Sequence, residues 1–386
     1  MRRAIALFVI TVLLASFAAA AAPDKVRVFL ETKGNVDLGG AKVIHNLDIL
    51  DNVKVIEVSE NALNSILNNP NVIGYEFDAT VTTMGKPDKC TPWPECKEGE
   101  DPIPDPDPDP TPTQELPWGV DRIDAELAST TGLGVKVCII DTGIDRNHPD
   151  LAANIVTGIN YVGKRVIDPN KWEDDNGHGT HVAGTIAAID NEQGVVGVAP
   201  DASLYIVKAL DRKGSGYMSD VAAGMDWCVA NGADVISMSL GAAVDVSYVK
   251  DAADAAYAAG ALVVAAAGNE YPAPVIYPAA YDSVISVAAT DSTDARAYFS
   301  NVGPENELAA PGVNILSTDK GDSYSVKHGT SMATPHVAGV AALVYQANMS
   351  ITNVGVRGML QTSALDLGTA GRDSLFGFGL VSAGWI

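Results

Sequence analysis

Positive charge is scarce in this sequence. The chain carries 25 Lys and Arg residues against 48 Asp and Glu residues, and its formal net charge is −23. Nucleic-acid backbones are bound through clustered Lys and Arg side chains, which release counterions. The balance therefore argues against nucleic acid as a partner. The acidic excess suits solubility, salt tolerance or binding of divalent cations, and it does not choose among them.

Cysteine is also rare, with four residues in a chain of 386, of which 47% are hydrophobic. Such a chain buries a large core, so neither a small disulfide scaffold nor a disordered protein fits. Cys90 and Cys96 lie in a short loop that a disulfide can close, whereas zinc, the alternative, would need two further ligands. Cys138 and Cys228 fall in apolar segments, where we expect buried free thiols.

Long apolar runs are missing after the first 22 residues. Residues 4–20 are largely apolar, follow a pair of arginines and lead into several alanines, which is the pattern of a secretory signal peptide. A retained membrane anchor is the alternative, but alanine favours the membrane only weakly and no basic stop follows. We therefore expect residues 1–22 to be removed and the protein to be secreted without a stable membrane anchor.

Composition shifts divide the rest of the chain. Over residues 23–84, predicted strands at 26–30, 53–58 and 72–77 and a helix at 60–67 indicate a small α+β unit. Residues 85–112 are rich in Pro and Asp, and their alternation favours an extended polyproline linker. Calcium binding by the linker aspartates is an alternative reading.

The third part, residues 113–386, alternates short apolar runs with helical segments. Strands are predicted at 135–140, 204–208, 234–240, 262–267 and 284–288, and helices at 219–230, 249–259 and 332–347. Continuous apolar runs are typical of parallel strands that are buried on both faces. The pattern predicts a doubly wound, mainly parallel α/β domain.

Three segments of this domain place reactive side chains at strand or helix ends. Asp141 follows the first predicted strand, His178 opens a helical segment with His181, and Ser331 precedes the helix at 332–347. Each has an ordinary explanation as a turn or cap residue. Zinc binding by the two histidines would need the Glu and the four-residue spacing of a metalloprotease helix, which are missing.

The three motifs together resemble the subtilisin-like serine proteases, the subtilases, over residues 114–384. The chain order Asp, His, Ser is the one known from subtilisin. The resemblance implies that Ser331 attacks a peptide carbonyl, that His178 accepts and returns the proton, and that Asp141 orients the imidazole. It also implies that Asn269, in an Ala-Ala-Gly-Asn segment, binds the oxyanion with its side-chain N–H.

Substrate and calcium sites follow from the same resemblance. The expected substrate-binding residues are Gly214, Ser215, Gly216, Ser239, Leu240 and Gly241, whose backbones would pair with an extended peptide, and Glu270 and Ile276 near the specificity pocket. Backbone pairing implies broad specificity, whereas Tyr271 and Ile276 suggest a narrower pocket. The expected calcium ligands are side-chain oxygens of Gln114, Asp150 and Asn191 and carbonyls of Ile189, Gln193 and Val195.

Residues 23–84 resemble the inhibitor-like propeptides of this family. The resemblance implies that the unit assists folding and that its tail, residues 79–84, occupies the substrate groove. We expect self-cleavage between Met84 and Gly85, and a cut near Gln114 is the alternative. The whole sequence thus indicates a secreted, calcium-stabilised, monomeric serine endopeptidase made as a self-processing precursor of 1–22, 23–84, 85–112 and 113–386.

Other functions stay open at this point. A selective processing protease would share the same catalytic residues. A binding module would keep its cleft closed by an unreleased propeptide, although all four catalytic-type residues are present. An acid-active Ser-Glu-Asp peptidase would leave the motifs of His178 and Asn269 unexplained.

Overall fold

The computed structural model describes residues 25–84, 114–163 and 170–386. The predicted leader 1–22 and the whole predicted linker 85–112, with Gly85, Cys90 and Cys96, lie outside the described residues. Within the described ranges, no helix is long and apolar enough to span a membrane.

A small α+β unit comes first. It contains strands β1 (Val26–Thr32), β2 (Lys42–Leu47), β3 (Val53–Val58) and β4 (Val72–Phe77), helix α1 (Glu60–Leu67), and a following strand β5 (Thr80–Thr83). The first four strands form an antiparallel sheet in the order β2-β3-β1-β4. Helix α1 begins after Ser59, whose side chain accepts a hydrogen bond from the Ala62 N–H and so caps the helix.

The large unit is built on seven parallel strands in the order β14-β13-β12-β10-β6-β8-β7. These are β6 (Lys136–Asp141), β7 (Ile155–Asn160), β8 (Ser203–Lys208), β10 (Val235–Met238), β12 (Leu262–Ala266), β13 (Val284–Thr290) and β14 (Asn306–Pro311). Shorter strands are β9 (Ser215–Tyr217), β11 (Leu240–Gly241), β15 (Ile315–Asp319) and β16 (Ser323–Lys327). The helices are α2 (Trp118–Arg122), α3 (His178–Ala187), α4 (Met218–Ala230), α5 (Ser247–Ala258), α6 (Thr330–Ala347) and α7 (Asn353–Ser363). The predicted α/β fold class is confirmed.

Alternate residues of each central strand face two separate cores, as the period of a strand requires. On β6, Val137 and Ile139 pack on the side of α3, α6 and α7, whereas Cys138 and Ile140 pack on the side of α4 and α5. Both faces of the sheet are thus covered, and this explains the uninterrupted apolar runs in the sequence.

Strands β7 and β14 were not expected from the sequence. β14 contains Asn306 and Glu307, which are polar yet buried. Their partners explain this, because Asn306 donates to the carbonyl oxygens of Asn301 and Ser374, and the guanidinium of Arg357 pairs with Glu307. A sequence pattern does not reveal such distant partners.

The small unit rests on the amino ends of α4 and α5. The ring of Phe29 stacks on Tyr248 with centroids 5.4 Å apart. Asp78 accepts hydrogen bonds from the N–H and hydroxyl of Ser219 in the first turn of α4, and Glu76 accepts from the N–H and hydroxyl of Ser247 in α5. Carboxylates at helix N-termini satisfy free N–H groups and are favoured by the helix dipole.

A buried polar cluster joins the same two units. His45 lies 2.7 Å from the Asp220 carboxylate through Nε2, and the Arg27 guanidinium lies 3.0 Å from the same oxygen. Burial raises the pKa of the neighbouring Asp78 to about 6, although the hydrogen bonds from Ser219 oppose this shift. The interface therefore combines apolar packing with charges that need their partners.

The prediction of free thiols at Cys138 and Cys228 is wrong. The two residues form a disulfide across 90 positions of sequence, and no cysteine of the described residues is free. Both side chains are fully buried. The apolar surroundings were predicted correctly, but neither segment indicates that strand β6 and helix α4 bring these sulfurs together.

We expect the Cys138→Ala/Cys228→Ala double variant to lower the free energy of unfolding by roughly 2–5 kcal/mol, because a disulfide that closes a long loop restricts the unfolded chain. The measurement is urea unfolding of the precursor carrying Ser331→Ala, with and without the double substitution. In the unreduced parent, iodoacetamide should label neither cysteine after denaturation. Labelling of both would contradict the disulfide.

Candidate active site

The carboxyl edge of the parallel sheet gathers the predicted catalytic side chains. Asp141 is the last residue of β6, and Asn269 lies three residues after β12. His178 is the first residue of α3 and Ser331 the second of α6. Strands end and helices begin at this edge, which is where open α/β sheets bind ligands.

The imidazole of His178 is oriented by Asp141. Its Nδ1 lies 2.8 Å and 3.0 Å from the two carboxylate oxygens of Asp141. The N–H of Thr142 also donates to this carboxylate, which is almost fully buried. The Nε2 of His178 is buried and has no hydrogen-bond partner among the described residues. This arrangement fixes the tautomer and leaves Nε2 for proton transfer.

Ser331 lies at the amino end of the 18-residue helix α6 and is buried. Its Oγ is 3.1 Å from the carbonyl oxygen of Met84 and 3.0 Å from that of Ser239. The hydroxyl of Ser239 in turn donates to the backbone carbonyl of Ser331 over 2.8 Å. The preceding Gly329 has φ +145° and no side chain, and a Cβ there would lie 2.9 Å from the Met84 oxygen.

Asn269 binds the same carbonyl. Its Nδ2 donates to the Met84 oxygen over 2.9 Å. Its Oδ1 accepts from both the N–H and the hydroxyl of Thr330, each over 2.9 Å. Thr330 therefore turns the amide so that its N–H points at the carbonyl. This role of Thr330 was not predicted from the sequence, although the residue stands directly before Ser331.

Strand β5 occupies the groove that leads to this carbonyl. It lies between β9 and β11 in a three-stranded antiparallel sheet. Thr82 pairs with Ser215 on one side and with Gly241 on the other. The Thr83 N–H also donates to Gly214 over 2.8 Å. The predicted binding segments 214–216 and 239–241 thus border an extended peptide, here the chain's own residues 80–84.

The side chain of Met84 enters a small apolar pocket and is 5% exposed. It packs with Ala266 and Ile276 in a cluster separate from the two main cores. Glu270 does lie close to Asn269, but its Oε2 accepts from the Asn269 N–H and from the Asn301 amide. One carboxylate oxygen is therefore held by the protein itself.

A cavity of about 490 Å³ is lined in part by Thr83 and Met84. Its lining includes His178, Met332 and Lys327. The ammonium of Lys327 is bound to Asp319 and to the carbonyl of Gly177, each over 2.9 Å.

A buried carboxylate that the sequence did not single out holds the start of α3. Asp174 accepts hydrogen bonds from the N–H groups of Gly177 and Thr180 and from the hydroxyl of Thr142. Burial by itself raises the pKa of Asp174, but the hydrogen bonds from Gly177, Thr180 and Asn176 outweigh it and keep the pKa below its ordinary value. The charged carboxylate thereby fixes the helix end that carries His178.

His181 does not join His178 in a metal site. Its Nε2 faces the carbonyl oxygens of Ile315 and Ser325 at 3.0 and 3.1 Å. Burial, with a smaller contribution from the charge of Lys327, lowers the pKa of His181 to about 3. It is therefore a neutral core residue at ordinary pH. Within the described ranges, no group of three or more His, Cys, Asp or Glu is arranged to hold a metal.

The six residues predicted as calcium ligands lie in one hydrogen-bonded group. The amide of Gln114 lies 2.6 Å from the carbonyl oxygen of Ile189 and 3.2 Å from that of Val195. The Asn191 amide lies 3.0 Å from the Asp150 carboxylate. Gln193 continues the loop, and its N–H donates to Asn191 Oδ1.

Asp150 is fully buried within this loop. Among the described residues, its carboxylate oxygens accept from three neutral donors, namely Asn191, the Val195 N–H and the Tyr324 hydroxyl. Because an amide exchanges oxygen and nitrogen by a simple flip, Gln114 and Asn191 can each place an oxygen where the amide nitrogen now lies. The resulting set of hard oxygens fits a calcium ion.

A comparison with protein families finds that the model of the subtilase family matches residues 132–379. This range holds Asp141, His178, Asn269 and Ser331.

Several known proteins are similar in sequence to this chain. The chain is 41% identical to M-protease of Shouchella clausii (strain KSM-K16) over 345 residues, covering 89% of this chain and 80% of that protein. It is 47% identical to Subtilisin Savinase of Lederbergia lenta over 273 residues, covering 70% and 98%. It is 46% identical to alkaline elastase YaB of Bacillus sp. (strain YaB) over 344 residues, covering 88% and 80%.

Proposed function

The chain belongs to the subtilase family and is a serine endopeptidase, and from this premise we propose that it is a secreted, calcium-stabilised protease of broad specificity that cuts its own precursor. The observation that carries the proposal is the carbonyl of Met84. Its oxygen receives hydrogen bonds from both Ser331 Oγ and Asn269 Nδ2, at the end of a strand paired like a bound substrate.

The proposed chemistry uses four side chains. Ser331 Oγ bonds to the substrate carbonyl carbon, and its proton moves to His178 Nε2. The carbonyl oxygen becomes an oxyanion, which accepts from Asn269 and from the backbone N–H of Ser331. His178 then gives the proton to the leaving amine, the peptide bond breaks, and water hydrolyses the acyl-enzyme by the same route. Asp141 orients the imidazole and stabilises its cation.

We propose that residues 23–84 are a propeptide and that the first cut falls between Met84 and Gly85, with Gly85 outside the described residues. Strand β5 lies in the groove as a substrate would, and this supports the boundary. A tail that is uncut or retained blocks the groove. The match to M-protease also covers more of the chain than residues 113–386 alone would provide. The signal peptide 1–22 and the linker 85–112 complete the proposed precursor.

Broad specificity follows from the way β5 is held. Thr82 binds through its backbone on both sides while its side chain is exposed. Backbone pairing makes few demands on sequence. Secretion is supported by the signal-like leader and by the Cys138–Cys228 disulfide, since disulfides persist in oxidising compartments. We further propose that the enzyme is a monomer whose substrates are proteins and peptides.

Calcium would be held by Gln114, Asp150, Ile189, Asn191, Gln193 and Val195. It would neutralise the buried carboxylate of Asp150 and tie the segment at Gln114 to the loop at 189–195. Glu115 already hydrogen-bonds to this loop, because its N–H donates to Gly194 over 2.7 Å. The ion would therefore act on stability and not on the chemical step.

Self-processing is tested by refolding the chain from Pro23 with calcium and following its intact mass. We expect the parent to split between Met84 and Gly85 and the Ser331→Ala copy to stay whole, because only the parent has the nucleophile. Loss of one oxyanion donor, in Asn269→Ala, should slow the split by about 10²–10³, a value measured in this family. A serine-reactive phosphonate provides the second readout.

If both refolded chains stay whole and the phosphonate does not label Ser331, the self-processing proposal fails and a binding module becomes the better description. Processing close to Gln114 instead would move the propeptide boundary and would contradict the assignment of Met84.

Calcium stabilisation is tested on the Ser331→Ala precursor, which cannot digest itself. Chelation should lower its melting temperature, and calcium at 100 times its dissociation constant should restore about 2.7 kcal/mol. Asp150→Asn should abolish this response. Asp51→Asn, which removes an exposed carboxylate in the turn after β2, is the matched control and should keep it. An equal calcium response in both variants would refute the proposed site.

Peroxide is expected to inactivate the processed enzyme. Met332 follows Ser331 directly and lines the cavity beside Met84, and its sulfoxide would add a polar atom beside the oxyanion site. Peptide mapping and peptidase rate are measured together, and Met332→Ala should keep its rate after treatment. Oxidation of the exposed Met349 serves as the internal control. An unchanged rate with Met332 oxidised would contradict this role.

A further inference from the structure

We propose that Ile276 closes the pocket for the residue before the cleaved bond, so that the enzyme selects a flexible, unbranched aliphatic side chain such as methionine there and discriminates against aromatic rings. The inference rests on the proposed function, because it takes Met84 as the residue whose carbonyl is attacked. It limits the proposed breadth at one substrate position.

The pocket is filled by Met84 and Ile276 together. Both side chains are buried, at 5% and 7% exposure, and they pack with Ala266. The side chain of Thr82, two residues earlier, is exposed. The protein therefore encloses the Met84 side chain while leaving the Thr82 side chain in solvent.

Ile276 cannot withdraw from the pocket easily, because its backbone is attached to both walls. Its N–H donates to the carbonyl of Ala267, just after β12, over 3.1 Å. The next residue, Tyr277, exchanges two hydrogen bonds of 2.9 Å with Ala242, just after β11. As a β-branched residue, Ile276 also has few rotamers to choose from.

The side chain of Ile276 crosses the space between these walls. On one side it meets Ala266, and on the other it reaches Gly241. A Cβ on Gly241 would overlap Ile276 Cδ1 and would lie 2.9 Å from Cγ1. A planar ring needs a slot between two walls, and here the isoleucine occupies that slot. A thioether chain bends along it and fills the remaining irregular space.

The experiment compares quenched fluorescent peptides Val-Thr-Thr-X-Gly with X as Met, norleucine or Phe. The first three residues repeat Val81-Thr82-Thr83, so only the pocket residue changes. The enzyme is the full chain after self-processing. We expect kcat/KM for Met and norleucine to exceed that for Phe by at least about 10-fold, the scale of a steric mismatch in an apolar pocket.

Ile276→Gly should raise kcat/KM for the Phe peptide by about 10-fold or more and so remove or reverse the preference. Leu133→Gly is the matched control, because Leu133 is exposed in the turn before β6, at the end of that strand opposite Asp141. In Leu133→Gly, the ratio of kcat/KM for the Met peptide to that for the Phe peptide should equal the ratio in the parent. If Ile276→Gly does not fold, the readout is the ratio of kcat/KM for the Met peptide to kcat/KM for the Phe peptide, measured in Ile276→Val and in the parent.

Equal or faster cleavage of the Phe peptide by the parent overturns the inference, and so does an unchanged ratio in the Ile276 variants. Either result leaves the proposed protease function standing. Failure of the processed chain to cut any of the peptides or denatured casein, together with no phosphonate labelling of Ser331, overturns the proposed function itself.

Discussion

The common direction of the seven central strands is the constraint on which this structure depends. Because β6, β10 and β12 are parallel, their carboxyl ends meet at one edge, and α3 and α6 begin at the same edge. Residues far apart in sequence thereby become neighbours. The cost is a set of buried helix ends whose N–H groups need partners. At the start of α3 the carboxylate of Asp174 is this partner, and the hydrogen bonds that it accepts keep its pKa below the ordinary value.

The same edge provides a groove with two free strand borders. β9 and β11 each offer backbone groups, and β5 satisfies both at once. The small unit is held in place by contacts that do not involve the catalytic residues, namely Phe29 on Tyr248 and the carboxylates of Asp78 and Glu76 at the starts of α4 and α5. The contacts that position the tail are therefore separate from the residues that we propose react with it.

Stability is reinforced away from the reacting atoms. The disulfide ties β6, which ends in Asp141, to α4, which carries the small unit. The loop around Asp150 ties the segment at Gln114 to the end of α3. Both devices join parts of the chain that are distant in sequence, so each adds rigidity to the scaffold that aligns Asp141 and His178.

The sequence by itself determined the α/β class, five of the seven central strands and most of the helices, because apolar periodicity is readable along the chain. It also indicated Asp141, His178, Asn269 and Ser331 as candidate catalytic residues, because the motifs around them resemble those of the subtilases. It did not reveal β7, nor β14, whose buried Asn306 and Glu307 are supported by distant partners. The prediction of free thiols at Cys138 and Cys228 was wrong, since apolar surroundings suit a thiol and a disulfide equally. Only the tertiary structure decided that Thr330 turns the Asn269 amide, that Asp174 holds the start of α3, and that Ile276 spans the pocket to Gly241. Each of these depends on the distance between side chains on different elements, and a linear pattern carries no such distance.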